Sequence, residues 1–453
     1  MILQLIYRPE PGAEMKPVAL PLSKSIALRV LTLNAVSRAT GGCTARVPEL
    51  PDADDVKGML RALGLYDEQL GVRGADVTGR MVNIGEGGAP LRFFTALAAS
   101  TPGTDISLST SRGLMRRPLK PLLDALASAG ADIRSLRRRG YPPLRICGRK
   151  LDSDPLKLDP SMSSQFVSAL MMVAPLWQSG LCLSFGGHTP VSAPYIAMTA
   201  EIMRRFGAEV SVTGNGVEVG SAPLSAPAEF PVEADWSAAS YFYELSLLLP
   251  GTDIPVKRLT PAEGSLQGDA RCAAIFGLLG TETIYNTDGS ATLRCDTEKL
   301  NVFRSLGQPL ELDLNDAPDL VPALAVGFCL AGVRFRFTGI GHLRHKESNR
   351  MTALANELSR IGYALDLSDD TMSWTGRRTP GGENETIETY ADHRMAMAFA
   401  PAAAVLPYVA IDSPGVVGKS FPGYWEALEG LGFELKRFGG AHAMRRHDKT
   451  RKK

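Results

Sequence analysis

The sequence predicts an α/β protein made of six similar units grouped into two domains. Three observations lead there. First, 453 residues with 44% hydrophobic and 21% charged side chains exceed one ordinary core and describe a globular chain. Second, one ending recurs: "LRALGLY", "LASAGADI", "MRRFGAEV", "IFGLLGTE", "LSRIGYAL" and "LEGLGFEL", an amphipathic run closed by glycine and followed by strand-like residues. Third, hydroxyls and cations gather again and again at helix starts, where unpaired N–H groups and the helix dipole favour anions.

The glycines of the recurring ending stand at 64, 130, 207, 280, 362 and 432, so the device returns every 66 to 82 residues. Glycine suits the left-handed backbone that closes a helix. The period is too long for solenoid repeats of roughly 20 to 50 residues, which leaves α/β units, three to a domain.

Bulk properties exclude several classes. A net charge of +1 leaves no footprint for nucleic acid or an anionic membrane. Six scattered cysteines (43, 147, 182, 272, 295 and 329) form no CxxC pair, which argues for reduced thiols and against a disulfide framework or structural zinc. The opening "MILQLIYRPEPG" has no signal-peptide architecture. The longest apolar stretch, Met395 to Ile411, holds two prolines and falls short of a membrane span, so a cytoplasmic protein is expected.

The helix starts follow in chain order. "LPLSKSIALRVL" sets Ser23, Lys24, Ser25 and Arg29 at the head of an apolar run. "NIGEGGAPLRFF" is a glycine turn with Arg92 just beyond it; it matches neither nucleotide-binding fingerprint but lets a small anion approach the backbone. "SRGLMRRPLKPL" places Arg116 and Arg117 before Pro118, a residue suited to a first helical turn. "DPSMSSQFVSAL" brings Ser163, Ser164 and Gln165 to a helix head, and "VSAPYIAM" offers Ser192 and Tyr195. "DLNDAPDLVPAL" gathers Asp313, Asp316 and Asp319, which can cap, bind metal or act as a base. In "RHKESNRM" a helix starting at Lys346 would put Lys346 and Arg350 on one face, with Glu347 between them. "YADHRMAM" supplies His393 and Arg394, and "GVVGKSFPGYW" supplies Lys419. Each segment taken singly reads as well as a capped, solvated helix start. Together, helices pointing such ends into one cleft would suit a substrate with several phosphates and carboxylates. A bound anion would make the Lys346–Arg350 pair tolerable.

In this order, SKSxxxR, the glycine turn with Arg92, RRP, SSQF, PYI, NDAPD, KESNR, DHRMAM and GKSFPGYW resemble the 5-enolpyruvylshikimate-3-phosphate synthases, from about residue 16 to 433. The resemblance implies two domains, each of three α/β units with helices inside and sheets outside. Residues 1–21 and 233–453 would form a discontinuous domain carrying phosphoenolpyruvate-side residues and an acid–base pair. Residues 22–232 would form an inserted domain carrying the shikimate phosphate side, and binding would close the two.

It further implies transfer of the enolpyruvyl group of phosphoenolpyruvate to the 5-hydroxyl of shikimate 3-phosphate, through a tetrahedral intermediate, by a monomer without metal or cofactor. Ser25 and Arg29 would hold the shikimate carboxylate, and Ser163, Ser164 and Ser192 its phosphate. Gln165, Tyr195 and Lys346 would line the ring and phosphate, Gln165 also reaching phosphoenolpyruvate. Lys24, Arg117 and Lys419 would meet the phosphoenolpyruvate phosphate beside Gly88, with Lys24 also serving catalysis and shikimate 3-phosphate. Arg350 and Arg394 would grip the phosphoenolpyruvate carboxylate. Asp319 would be the base for the hydroxyl, and Glu347 would protonate the methylene and later take that proton back.

The chain departs from the family pattern at Leu22 and Leu28, at Glu86 to Ala89 in the glycine turn, at Phe93 where proline is common, and at His342. The altered turn leads us to expect reduced sensitivity to glyphosate. Two other readings compete. The sister transferase acting on UDP-N-acetylglucosamine usually has a cysteine before its RP motif, and "STSRGLMRRP" has none. A non-catalytic phosphometabolite-binding homologue would need neither Asp319 nor Glu347.

Overall fold

The computed structural model describes residues 1–12, 14–71, 81–152, 155–381 and 386–439. One supersecondary plan, strand–helix–strand–helix–strand–strand, recurs through them. Its plainest copy runs Met81–Asn83, helix Gly88–Ala99, Asp105–Ser109, helix Lys120–Ser128, Asp132–Ser135 and Leu144–Cys147. The first two strands pair in parallel across their helix, Val82 opposite Leu108, and the last two form a hairpin whose final strand pairs antiparallel with the second. The sheet order is therefore first, second, fourth, third. Along Leu144–Cys147 alternate residues are buried and outward, as one covered sheet face requires.

The same order is found in all five four-stranded sheets among the described residues. Two copies are continuous in sequence, beginning at Leu156–Lys157 and Leu310–Asp313. The others are interrupted or permuted. In one, the first strand Val18–Ala19 is separated from the following helix Trp236–Leu248 by more than two hundred residues of other structure. In the other, the fourth strand is the chain's own start: Ile2–Tyr7 lies between Val409–Asp412 and Phe433–Phe438. A sixth region holds helices Lys24–Ala39 and Asp54–Gln69 and a parallel bridge between Arg46 and Glu229; the segment after it, 72–80, is outside the described residues.

Chain contacts divide the protein into two compact units. Unit 1 is Met1–Pro21, Ala234–Ser265 and Asp269–Lys453; unit 2 is Leu22–Glu233 with Leu266–Gly268. Each has its own core. Eleven of the twelve residues of Gly88–Ala99 are buried, and Trp236–Leu248 and His393–Phe399 are buried throughout. A helix apolar on every side must be surrounded by other structure. These helices therefore lie inside, whereas Thr297–Leu306, which buries only Leu300, lies at the surface.

The glycine endings hold at five of six places: Gly130, Gly207, Gly280, Gly362 and Gly432 all have φ between 78° and 98°, and each precedes a strand. The exception is Gly64, which lies inside the helix Asp54–Gln69; that helix closes at Gly71, φ 74°. The expected helix from Lys346 also starts later. Gly341–His345 is a short 3-10 turn, Asn349 caps the helix by accepting the Thr352 N–H at 3.3 Å, and the helix runs Arg350–Arg360. Lys346 is thus not on the helix, and the repulsion expected between it and Arg350 on one face does not arise. No helix among the described residues is long and apolar enough to cross a membrane. The apolar stretch from Met395 breaks into the end of one helix, a 3-10 turn at Ala400–Ala404 and the strand Val409–Asp412.

Candidate active site

In unit 1 the chemistry gathers around Arg350. As first residue of its helix, and 1% exposed, it spreads its guanidinium over three carboxylates. Nε donates to Asp392 at 2.7 Å, Nη1 to Asp319 at 2.8 Å and Nη2 to Glu347 at 2.8 Å. The outer oxygens of Asp319 and Glu347 each meet another cation. Arg394 Nη2 donates to Asp319 Oδ2 at 2.9 Å, and Lys419 Nζ to Glu347 Oε1 at 3.0 Å. Lys346 Nζ stands 3.9 Å from Asp319. Four cations therefore face three carboxylates, leaving one positive charge in excess.

Local sequence explains the placement. Asp319 sits in the turn Pro318–Leu320 that opens the apolar helix Val321–Leu330. Asp392 caps the helix His393–Phe399 by accepting the Arg394 N–H, which sets Arg394 in the first turn. Of the three acids grouped before that apolar helix, Asp313 and Asp316 are exposed and outside this network; only Asp319 joins it. Burial alone would push the Asp319 carboxyl up, but Arg394, Lys346 and Arg350 together hold it well below the usual range. Burial likewise opposes the charge of Arg350, and Asp392, Glu347 and Asp319 more than restore it.

Sequence reasoning missed two neighbours, Asp392 and Asp269, and named His342 only as a departure from the family pattern. Asp392 was passed over beside His393 and Arg394, although an acid directly before a helix is a capping signal. Asp269, bonded to the Ser237 hydroxyl, is pushed up to about 7 by burial and by the charge of Asp319. His342 is pulled down to about 4 by burial and by Lys346, so it stands neutral at physiological pH.

Unit 2 assembles a second constellation. Lys24, first residue of its helix, pairs with Asp55 at 2.8 Å, and Asp55 was not anticipated. A β-carbon at Gly87 would lie 2.7 Å from Asp55 Oδ1; one at Gly88 would lie 2.5 Å from Arg92 Nη1 and 3.0 Å from Arg117 Nη1. The two guanidinium groups therefore close directly on the bare backbone that begins the helix Gly88–Ala99. Arg92 also donates to Gln165 at 2.8 Å. Lys24, Gly88, Arg117 and Gln165 are thus brought together with Arg92 at one helix N-terminus, an arrangement suited to an anion.

The hydroxyl group lies beside it in sequence order. Ser163 caps Ser164–Val173 by accepting the Gln165 N–H at 3.3 Å, and Ser164 opens the helix. Ser192 caps Ala193–Arg205 in the left-handed region, φ 55°, and its loop is tied to the Ser163 loop through the Val191 N–H and the Pro160 carbonyl. Tyr195 is half-buried in that helix. Arg29 behaves differently from the expectation of a presented carboxylate ligand. It is 2% exposed and donates to Thr199, Ser168 and the Ser25 and Tyr195 carbonyls. Phe93 and Tyr195 flank its guanidinium, and burial lowers it to about 10.

Known proteins resemble this chain along most of its length. The family model for EPSP synthase (3-phosphoshikimate 1-carboxyvinyltransferase) matches residues 11–428. A 3-phosphoshikimate 1-carboxyvinyltransferase of Bacteroides fragilis is 40% identical over 422 residues, 92% of this chain and 96% of that one. Among solved structures, an EPSP synthase of Acinetobacter baumannii superposes with a TM-score of 0.69 at 19% identity, covering 96% of this chain and all of its own. The enolpyruvyl transferase NikO of Streptomyces tendae gives 0.64 at 15% identity, covering 96% of this chain and 98% of its own, a likeness of fold. With a family model spanning nearly the whole sequence and a relative at 40% identity, the chain belongs to the EPSP synthase family.

Proposed function

We propose that Asp319 and Glu347 are the acid–base pair of a 3-phosphoshikimate 1-carboxyvinyltransferase, working under cations that phosphoenolpyruvate takes over on binding. The carrying observation is the sharing of Arg350: its two terminal nitrogens each hold one of these acids at 2.8 Å, while Arg394 and Lys419 hold their outer oxygens. Those three cations are the ones that the family resemblance assigns to the phosphoenolpyruvate carboxylate and phosphate. A substrate anion that engages Arg394 and Arg350 weakens their hold on Asp319, and its basicity rises.

Asp319 then takes the proton of the shikimate 5-hydroxyl as that oxygen bonds to C2 of phosphoenolpyruvate, and Glu347 delivers a proton to C3. From the tetrahedral intermediate the C2–phosphate oxygen bond breaks, Glu347 recovers a C3 proton, and inorganic phosphate leaves with the proton that Asp319 had taken. Arginine suits the carboxylate grip because its planar fork matches two oxygens. In unit 2, Lys24, Gly88, Arg117 and Gln165 are read as the phosphate end of phosphoenolpyruvate, and Ser163, Ser164 and Ser192 as the shikimate phosphate site. Arg29 is read as support for Ser25 and Tyr195 instead of as a ligand in its own right. A cytoplasmic monomer belongs to the same reading; six unpaired cysteines suit a reducing compartment.

Phosphate release from the two substrates tests the whole. Glu347→Gln is expected to lose at least about a hundredfold in kcat while binding shikimate 3-phosphate normally. Arg394→Lys is expected to raise KM for phosphoenolpyruvate by roughly tenfold or more. Wild-type turnover in the first, or an unchanged KM in the second, would remove the corresponding role.

A further inference from the structure

The backbone reaches Asp392 through two adjacent non-glycine residues in the left-handed region, Tyr390 at φ 52° and Ala391 at φ 55°. Each costs on the order of 1 kcal/mol or more and persists only where its surroundings over-determine it. On the downstream side the restraint is Asp392 itself, which accepts the Arg394 N–H at 3.0 Å and the Arg350 Nε–H at 2.7 Å.

The upstream restraint is Glu357, on the same helix as Arg350 and two turns further along. Its side chain is fully buried. Oε2 accepts the Glu388 N–H at 3.1 Å, and Oε1 accepts the Tyr390 hydroxyl at 2.8 Å. Arg360 Nε lies 3.4 Å away and supplies the nearby positive charge. One carboxylate thus ties down both the approach to the strained pair and its first side chain. The helix Arg350–Arg360 grips residues 388–392 at two points, one near each end.

We propose that Glu357 is a positioning residue for Arg394. It holds residues 388–391 in the strained course that aims the Arg394 guanidinium at Asp319 and, on the reading given above, at the carboxylate of phosphoenolpyruvate. Glu357 acts only through the loop.

The two donors sit on separate oxygens of Glu357, and an amide replaces one of those oxygens with an NH2 group, which would face a donor. Glu357→Gln and Tyr390→Phe are therefore both expected to raise KM for phosphoenolpyruvate, by roughly tenfold in the first and less in the second, with KM for shikimate 3-phosphate unchanged. The double variant Glu357→Gln, Ala391→Gly is expected to recover most of the loss, because glycine adopts the left-handed conformation without strain. Tyr390→Phe keeps a test in hand if the buried amide prevents folding. Equal changes in both KM values, or no recovery with glycine, would mean a merely structural role and overturn the proposal. Arg394→Lys, measured in parallel, separates the two levels. If it raises KM for phosphoenolpyruvate while Glu357→Gln and Tyr390→Phe do not, only the positioning role falls; if it has no effect, the grip itself is misassigned.

Discussion

Phe93 fills the space beside the Arg29 guanidinium, 5.3 Å from ring centre to Cζ, and is fully buried. A proline here would fix a backbone dihedral close to the glycine turn and Gly88. The structure gives that task to Pro90, inside the first turn of Gly88–Ala99, while Phe93 lies a turn further in. Proline at 93 would remove a helical N–H, a cost of roughly 3 kcal/mol, and would also strip the packing from Arg29. Phe93→Pro is accordingly expected to lower Tm by many degrees in a thermal melt, whereas Phe93→Leu is expected to cost less than half as much. A Phe93→Pro variant as stable as the parent would show that Arg29 does not depend on that ring.

Two helices of unit 1 meet around a different buried acid. Glu244 lies mid-way along Trp236–Leu248, and a β-carbon on Gly327 of Val321–Leu330 would come within 2.9 Å of its Cγ. Among the described residues neither carboxyl oxygen has a hydrogen-bond partner, and burial raises the group well above its usual range. Below the unfolded-state value near 4.3 both states hold the proton and there is no penalty. As pH rises above that, the unfolded chain ionises while the folded one stays neutral, so stability falls until the folded-state value is passed. Each tenfold in proton affinity is worth about 1.4 kcal/mol. Glu244→Gln removes this slope: its Tm advantage over the parent is expected to be near zero or negative at pH 4.5 and to grow steadily toward pH 8. A constant difference across that range would mean that Glu244 is ionised in the core.

Elements of this kind differ in how legible they are. Five closing glycines could be read because a left-handed residue between a helix and a strand has one cheap solution. Gly64 misled because a β-carbon there would meet nothing, so glycine in a helix interior looks like glycine at an end. The helix start at Arg350 was obscured by its charges, although Asn349 carried the capping signal. Reactive types could be named one segment at a time, but their partnerships could not. Asp392 and Arg350 are 42 positions apart, Lys24 and Asp55 31, and Arg29 and Thr199 170; nothing local encodes those meetings. The burial of Arg29 was not legible for that reason: beyond the Ser25 carbonyl on its own helix, its partners Ser168, Thr199 and Tyr195 come from two distant helices.

At the scale of the molecule, repetition of one sheet order hides a chain path that is far from repetitive. The first strand, Ile2–Tyr7, pairs on both sides with strands near the end of the sequence, Leu5 opposite Val409 and Leu435. Leu3 and Leu5 are fully buried beneath it. Deleting residues 1–7 is expected to leave two strands without their common neighbour and to send the protein to the insoluble fraction, where a deletion from residue 440 onward leaves it soluble. A soluble, active protein lacking residues 1–7 would show that the outer strands can pair with each other.

The insertion between Val18–Ala19 and Trp236–Leu248 also fixes an order of events on the ribosome. Almost all of unit 2 has been synthesised once residue 233 is made, with only Leu266–Gly268 to follow. Unit 1 holds its first strand from the outset but cannot pair it until Val409–Asp412 and Phe433–Phe438 are made. At about 5–20 residues per second, the opening strand waits on the order of twenty seconds or longer for its neighbours. During that interval its apolar residues are exposed and unpaired, a target for whatever binds nascent chains. Unit 2 matures vectorially, and unit 1 closes only once Phe433–Phe438 has been made, by pairing Ile2–Tyr7 with strands from the far side of the insertion.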